Sequence, residues 1–502
     1  MSIRIYGQNY PPDNKSIVVD YTNLPIVFID TYGQEIKKNE RISAKMKIVN
    51  NSNNINYGDT IQYPNQNVDI DCWVGIKYRG NTSYTMSPKK PYSIKLLKTP
   101  IEEGGEKLDA SILGMGKDND WCLLAPYNDR SLIRDVLTFE LARGYLEYVP
   151  KARFCEVYLD GIYYGVYIIC ERVRRGKERL NIKKPGDAGD ELTGGYLLEV
   201  DRNDERVVYE SQFPPRNSDG YEFVNDKIYI QYKNPDCDEI TDSQKEFIDN
   251  RIYEFESALD SDNFSDPNNG YRRYVDVTSF IDYQLITEIS NNIDGYRQST
   301  YLYKYRDSID PRFKMSIWDF NIAWGVAEFP NIHTGYRYDV WAYKNNDEGL
   351  EHKMPFWFGR LMQDESYVSA LKQRYYQYRK EKCHNLNEIV DSLVNVLSAM
   401  GAVDRNYEAW PRWGSTIWPN YFNSTSYTEE INYLKDWITN RIEWLDDQLG
   451  YDLSTGFLSV DQKGLDDMII YSIYGMKQTS FRKGLNIYRT KNGIVKKIFI
   501  NH

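Results

Sequence analysis

Histidine is nearly missing from this 502-residue chain: His333, His352, His384 and His502 are all there is, and no two stand at ligand spacing. That argues against a zinc hydrolase and against a Ser-His-Asp hydrolase, although a single His could still serve a triad. The six cysteines, Cys72, Cys122, Cys155, Cys170, Cys237 and Cys383, form no Cys-x-x-Cys pair, which removes zinc ribbons and thioredoxin-like motifs. Cys155 and Cys170 flank a predicted hairpin. A two-residue turn at Asp160-Gly161 sets Cys155 opposite Val166, so its Cα lies beyond the roughly 7 Å from Cys170 that a disulfide tolerates. Buried free thiols are therefore expected. No run reaches the roughly 18 apolar residues that a membrane-spanning helix needs. The opening Met1-Ser2-Ile3-Arg4-Ile5-Tyr6 lacks the charged-then-apolar layout of a signal peptide. Either the protein is cytosolic or a leader has been removed. Positive charge is also in deficit: 62 Lys and Arg against 73 Asp and Glu give a net charge of −11, which argues against a general nucleic-acid-binding surface.

What remains is ordinary in bulk and unusual in detail. Hydrophobic residues make up 41% and charged residues 27%, as in a globular protein with a sizeable core, and the length suits one large domain with appendages. Tyrosine is abundant, at 44 residues. Two acidic segments in the middle of the chain stand out, Asn291-Asn292-Ile293-Asp294-Gly295-Tyr296-Arg297 and Trp318-Asp319-Phe320-Asn321. Each sets one Asp beside amide side chains and next to strongly apolar sequence. Oxygen-only ligands of this kind suit a hard cation such as Mg²⁺. Two carboxylate-bearing turns around Mg²⁺ are what phosphoryl transfer from a nucleotide requires.

Periodicity places these segments on elements. Strands are expected at 25–30, 41–49, 72–78 and 91–96, with the polar loop Arg79-Gly80-Asn81-Thr82-Ser83 between the last two. A helix follows, capped at Asp129 or Ser131, with an apolar face from Leu132 to Leu141. A hairpin from Phe154 to Cys170 turns at Asp160-Gly161. Strands at 195–201 and 227–232 precede helices at 243–259 and 277–290. The second helix runs straight into the Asp294 segment. A hairpin of 299–304 and 313–318 delivers Asp319, so a helix end and a strand end each present one acid. Residues 354–449 read as mostly helical, broken near Pro411 and Pro419. From about Ser454 three short strands suggest a small separate β unit.

The order of these motifs resembles the spore coat protein H (CotH) kinase-like family. The resemblance rests on Arg79 to Ser83, on Lys89-Lys90-Pro91-Tyr92-Ser93-Ile94-Lys95, on Asp129 to Arg134, on Tyr158 to Glu171 and on the two Asp turns, and it spans roughly Leu24 to Leu449. The last segment is similar to sorting-type tails of exported Bacteroidetes proteins. The resemblance implies an α+β, atypical protein-kinase-like two-lobed fold, with an antiparallel β-rich N-terminal part and a helical C-terminal part. It divides the chain into an N-terminal β extension (1–70), a kinase-like domain (71–453) and a small C-terminal β tail (454–502). It further implies ATP and Mg²⁺ as cofactors, Ser/Thr-bearing surface or exported proteins as partners, and a location outside the cytoplasm.

By position, Asp319 resembles the metal-binding Asp of a kinase, and Asp294 either a base toward the hydroxyl or a second metal ligand. Arg79, Gly80, Asn81 and Ser83 resemble a phosphate-covering loop. Lys90 or Lys95 would neutralise phosphate charge, and Glu171 would pair a lysine in the site or make only a structural ion pair. Plainer readings stand beside these: Asp319 as a strand-end turn former, Asp294 as a turn cap, Lys95 on a solvated strand face, and the basic run from Arg172 to Lys177 as solvated surface. Two positions depart from the family pattern. Asn321 stands where a second acid is usual, which keeps an oxygen ligand but removes charge, and Gln298-Ser299-Thr300 follows the first turn where Asn is usual. The two expected functions are thus a Mg-ATP-dependent Ser/Thr kinase and a weakly active or inactive binding or adhesion protein on the same scaffold. A glycoside hydrolase using paired acids has no motif to support it.

Overall fold

The computed structural model describes residues 16–329 and 331–452 and, beyond them, five short strands at backbone level. The opening residues in which no leader was read lie outside the described residues, as does most of the connecting sequence of the C-terminal tail.

Seven strands form a closed barrel in the order β1-β2-β3-β4-β5-β7-β6. They are β1 (Ile26–Asp30), β2 (Ile42–Val49), β3 (Val68–Tyr78), β4 (Tyr92–Leu97), β5 (Asp120–Leu124), β6 (Ala152–Leu159) and β7 (Ile162–Glu171). All neighbours are antiparallel except β1 and β6, whose parallel pairing from Ile26↔Glu156 to Ile29↔Leu159 closes the ring. The expected α+β order holds, with an antiparallel β-rich part first and helices after it, and the β-rich part takes the form of a closed seven-stranded barrel. It takes β1, β2 and the start of β3 from residues before 71, so the stretch read as an extension supplies the closing strands. Closure leaves no unpaired edge strand.

The β6–β7 hairpin turns at Asp160 and Gly161, both at positive φ (50° and 75°), as a two-residue turn requires. A bulge between Val157 and Tyr158 inserts one residue, so Cys155 faces Tyr167 rather than the expected Val166. Strand β7 carries the run Ile-Tyr-Tyr-Gly-Val-Tyr-Ile-Ile-Cys with no polar alternation because both of its faces are covered. Tyr163, Tyr167 and Ile169 fill the barrel, whereas Val166, Ile168 and Cys170 pack outward into the larger core, to which α2 (Arg134–Ala142) also belongs.

Between β3 and β4 lies the one-turn helix α1 (Thr82–Met86), and α3 (Gly189–Leu192) leads to a second sheet. That sheet has the order β12-β11-β8-β10-β9, from β8 (Tyr196–Asp201), β9 (Val208–Glu210), β10 (Tyr229–Asn234), β11 (Thr300–Lys304) and β12 (Phe313–Ser316). Helices α4 (Asp242–Asp260) and α5 (Val277–Ser290) come before β11. The rest is helical: α6 (Trp357–Leu361), α7 (Glu365–Glu381), α8 (Leu386–Ser398), α9 (Ala402–Ala409) and α10 (Tyr427–Leu449). One large apolar core joins α2, the second sheet and these helices, while a smaller one fills the barrel. Past α10, β13 (Tyr451–Asp452) pairs with β14 (Phe457–Leu458), and β15 (Ile469–Ser472), β16 (Lys477–Gln478), β17 (Gly484–Arg489) and β18 (Val495–Ile500) form an antiparallel sheet of order β16-β15-β17-β18.

Candidate functional site

The two acidic turns are built by the ends of α5 and β12. Helix α5 stops at Asn291, which takes the left-handed conformation (φ 44°), while its side-chain amide donates to the carbonyls of Thr334 (2.7 Å) and Arg337 (2.9 Å). The chain then turns through Asp294, which Arg297 holds in an ion pair. Asp201, at the end of β8, accepts the Ser299 N–H (3.1 Å) and pins the far side of that turn. After β12 the chain reverses at Asp319, again left-handed (φ 63°), and the buried Asp135 of α2 accepts the Phe320 N–H (2.8 Å). The Trp324 N–H donates to the Ser290 carbonyl (2.7 Å), tying the second turn to the helix that carries the first, and the Trp324 indole donates to Thr138 of α2 (2.8 Å).

Five non-glycine residues in these turns have positive φ: Asn291, Tyr296, Ser299, Asp319 and Trp324. Such conformations cost about 1–3 kcal/mol each and persist only where the surroundings over-determine them. Two glycines are required by close approach. A Cβ at Gly295 would lie 2.4 Å from Thr287 Cγ2, and one at Gly325 would lie 2.5 Å from Trp437 Cδ1.

Asp294 and Asp319 face a single cleft, a cavity of about 520 Å³ between the barrel rim and the second sheet. Its volume falls in the range of small-molecule sites, roughly 300–1,000 Å³. Arg79, Gly80, Asn81 and Ser83 line the same cleft, as does Asn321, which donates to Asp319. Seven residues singled out by sequence therefore converge. The Arg79 guanidinium stacks over Trp318 at 5.3 Å and acts on Asp319 electrostatically. Asn81 donates to Asp204 (2.8 Å), joining the loop to the segment after β8. Protein mass around Asp319 disfavours its charge, Arg79 favours it, and the neighbouring Asp294 and Asp201 oppose it; the outcome is a carboxyl raised to about 6. Asp135 is buried more deeply and is raised to about 8, by desolvation first and the Asp319 charge second.

Three expected residues lie elsewhere. Lys90 turns away to the Tyr84 carbonyl and its ring, 5.0 Å off. Lys95 sits on β4 opposite Asp120 and Gly75 and does not line the cleft. Glu171 is fully buried with Arg179, the Tyr148 hydroxyl (3.3 Å) and the Lys151 N–H (3.1 Å), which makes it a structural ion pair rather than a partner for a site lysine. The cleft's cations are mostly arginines: Arg79, Arg172, Arg202 and Arg297, with Lys233 held by Glu199 (3.1 Å) and Glu205 (3.3 Å). Arg172 had been read as part of a solvated run. It follows the last residue of β7 and lies 3.3 Å from Asp120. Asp135 and Asp201 also went unrecognised; position at an element end was their only signal.

Among the described residues, no group of three or more His, Cys, Asp or Glu side chains is arranged to hold a metal. Two carboxylates in one cleft nonetheless fit Mg²⁺, which keeps waters and substrate phosphates as its other ligands instead of needing a protein cage. Among the described residues, no single helix is long and apolar enough to cross a membrane.

A family model described as CotH kinase protein matches residues 76–445, about three quarters of the chain. The chain belongs to this family. No curated protein matches it. Membership carries the suggestion of an atypical kinase activity.

Proposed function

We propose that this chain is a Mg-ATP-dependent atypical protein kinase that phosphorylates Ser or Thr of surface or exported proteins. The observation that carries the reading is the convergence of Asp294 and Asp319, from separate turns, on one cleft walled by Arg79. Asp319 would hold Mg²⁺, which would supply charge neutralisation to a bound phosphate. Arg79, seated 5.3 Å from the Trp318 ring centre, suits a phosphate oxygen better than a flexible lysine does. Asp294, oriented by Arg297, is the group placed to take the proton from an acceptor hydroxyl as its oxygen bonds to phosphorus and ADP leaves.

One observation favours a second reading, a weakly active or inactive binding protein. Asn321 donates its amide to Asp319 Oδ1 (2.7 Å), so an acid is replaced and one metal-facing lone pair of the remaining acid is occupied. Calorimetric titration with Mg-ATP separates the readings when paired with radiolabel transfer to Ser-rich exported proteins. The kinase reading expects binding by the wild type, loss in Asp319→Ala, and labelling that Asp294→Ala abolishes. Binding without labelling selects the second reading, and no binding by the wild type removes both cofactors.

A further inference from the structure

All six cysteines are free thiols, and Cys155 and Cys170, the pair that the hairpin suggested, are not opposed. Across the other edge of β7, however, Cys170 stands directly opposite Cys122 of β5 in the antiparallel register. Directly opposed residues project to the same face, with Cα atoms about 4.5–5.5 Å apart, inside the window of roughly 4.4–6.8 Å that a disulfide requires. Both side chains are fully buried in the same core. Each thiol lies in the other's electrostatic field, and the Arg79 guanidinium acts on both.

We propose that Cys122 and Cys170 are a covalent modification site, a cross-strand disulfide between β5 and β7, each two residues before the cleft-lining Leu124 and Arg172. The closure needs no backbone movement, because the register already supplies the separation. Burial alone would raise the Cys122 thiol, but the neighbouring Cys170 thiol and the Arg79 and Arg172 charges outweigh it and hold Cys122 below its ordinary value. Cys170 is shifted the other way by burial. One of the two sulfurs, as its thiolate, displaces one thiolate from a small-molecule disulfide such as glutathione disulfide, forming a mixed disulfide. The other then loses its proton to solvent and displaces the second. Two protein thiols lose two electrons, and the reagent's disulfide is reduced to two thiols. Since neither sulfur is exposed, exchange occurs as the barrel closes during folding or when the strand pair opens. Cys72 faces Met46 and Cys155 faces Tyr167, so neither has a cysteine opposite it across its strand pair.

The test is to refold the full chain in an oxidising glutathione buffer, alkylate free thiols under denaturing conditions and map the unreduced peptides. The expected result is a linked pair carrying Cys122 and Cys170, with the other four cysteines alkylated. The melting temperature should rise on the order of 5 °C in the wild type on oxidation, but not in Cys122→Ser or Cys170→Ser. Six alkylated cysteines, or a different pairing, would overturn the proposal. The wild-type peptide map decides the matter alone if either variant fails to fold.

Discussion

The Asp135 carboxyl is the most informative single perturbation. It reaches from α2 to accept the Phe320 N–H at 2.8 Å, one residue past an Asp319 held at φ 63°. Asp135→Ala leaves that buried N–H without a partner, at a cost of about 1–3 kcal/mol. The strain at Asp319 is of similar size, about 1–3 kcal/mol, and the turn relaxes once its restraint is gone. If the turn then holds its cleft-facing form only part of the time, apparent affinity falls by that fraction. A loss of about 1.4–3 kcal/mol corresponds to roughly 10- to 100-fold weaker Mg-ATP binding. Asp135→Asn separates the acceptor from the charge. With its carboxyl raised to about 8, Asp135 is mostly neutral at neutral pH, and Asn keeps a neutral acceptor oxygen at the same position. Titration calorimetry with Mg-ATP and urea denaturation on all three proteins should place Asn near wild type and Ala well below it in affinity. An Ala variant that loses stability but binds Mg-ATP normally would show that Asp135 only supports the fold, and an Asn variant as weak as Ala would show that charge, not acceptance, is what matters.

Arg79→Met should weaken Mg-ATP binding about tenfold or more, as loss of a charged hydrogen bond costs about 1.5–3 kcal/mol, whereas Lys90→Met and Lys95→Met should leave calorimetric affinity unchanged. Arg134 is fully buried between Asp129 (2.5 Å) and Glu430 (2.8 Å), so Arg134→Met should cost about 3–5 kcal/mol in denaturant titrations, and adding Asp129→Asn with Glu430→Gln should restore part of it. Glu256 is buried beneath Trp357 and Ser211, and burial raises its carboxyl from 4.5 to about 7. The native state therefore holds a proton that the unfolded chain has lost; this stability is complete below about pH 4.5 and declines as pH rises through about 7, by up to about 3 kcal/mol. Urea unfolding at about pH 5 and about pH 8 should show that Glu256→Gln flattens this decline, and an unchanged slope would remove Glu256 from it.

Local patterns carried the strands and helices further than they carried the barrel. The Asp160-Gly161 turn, the helix running into Asn291 and the strand delivering Asp319 all follow from turn chemistry and apolar periodicity, and each stands where it was read. Ring closure was not legible. The pairing of β1 with β6 joins Ile26 to Glu156, a contact across more than a hundred residues that no local period encodes. The Val157–Tyr158 bulge was equally invisible, and one inserted residue was enough to move the partner of Cys155. Helix α2 was placed, but its cap was not. Asp129 accepts from the Ser131 and Arg134 N–H groups while binding the Arg134 guanidinium, so the residue read as a cap also holds one side of a buried ion triad.

The site was legible through its acids and not through its cations, and there is a physical reason. Each acid occupies a turn whose backbone conformation is itself a sequence signal: amide-rich, glycine-bearing and flanked by apolar strands or helices. A cation that serves an anionic ligand must keep its charge while partly buried, and nothing local marks which basic residue does so. Lys95 on its strand and Lys90 before its proline were plausible by pattern, yet burial lowers both of them, and Lys90 spends its ammonium on a carbonyl. Arginine resists that loss, because its guanidinium stays charged under burial and can stack as it binds. The chain meets the requirement with Arg79 over Trp318 and with Arg172 and Arg202 across the cleft. On the function proposed above, an anion entering this cleft would meet fixed positive charge from Arg79 and Arg172 of the barrel and carboxylates from the turns after α5 and β12, and a divalent cation would reconcile the two.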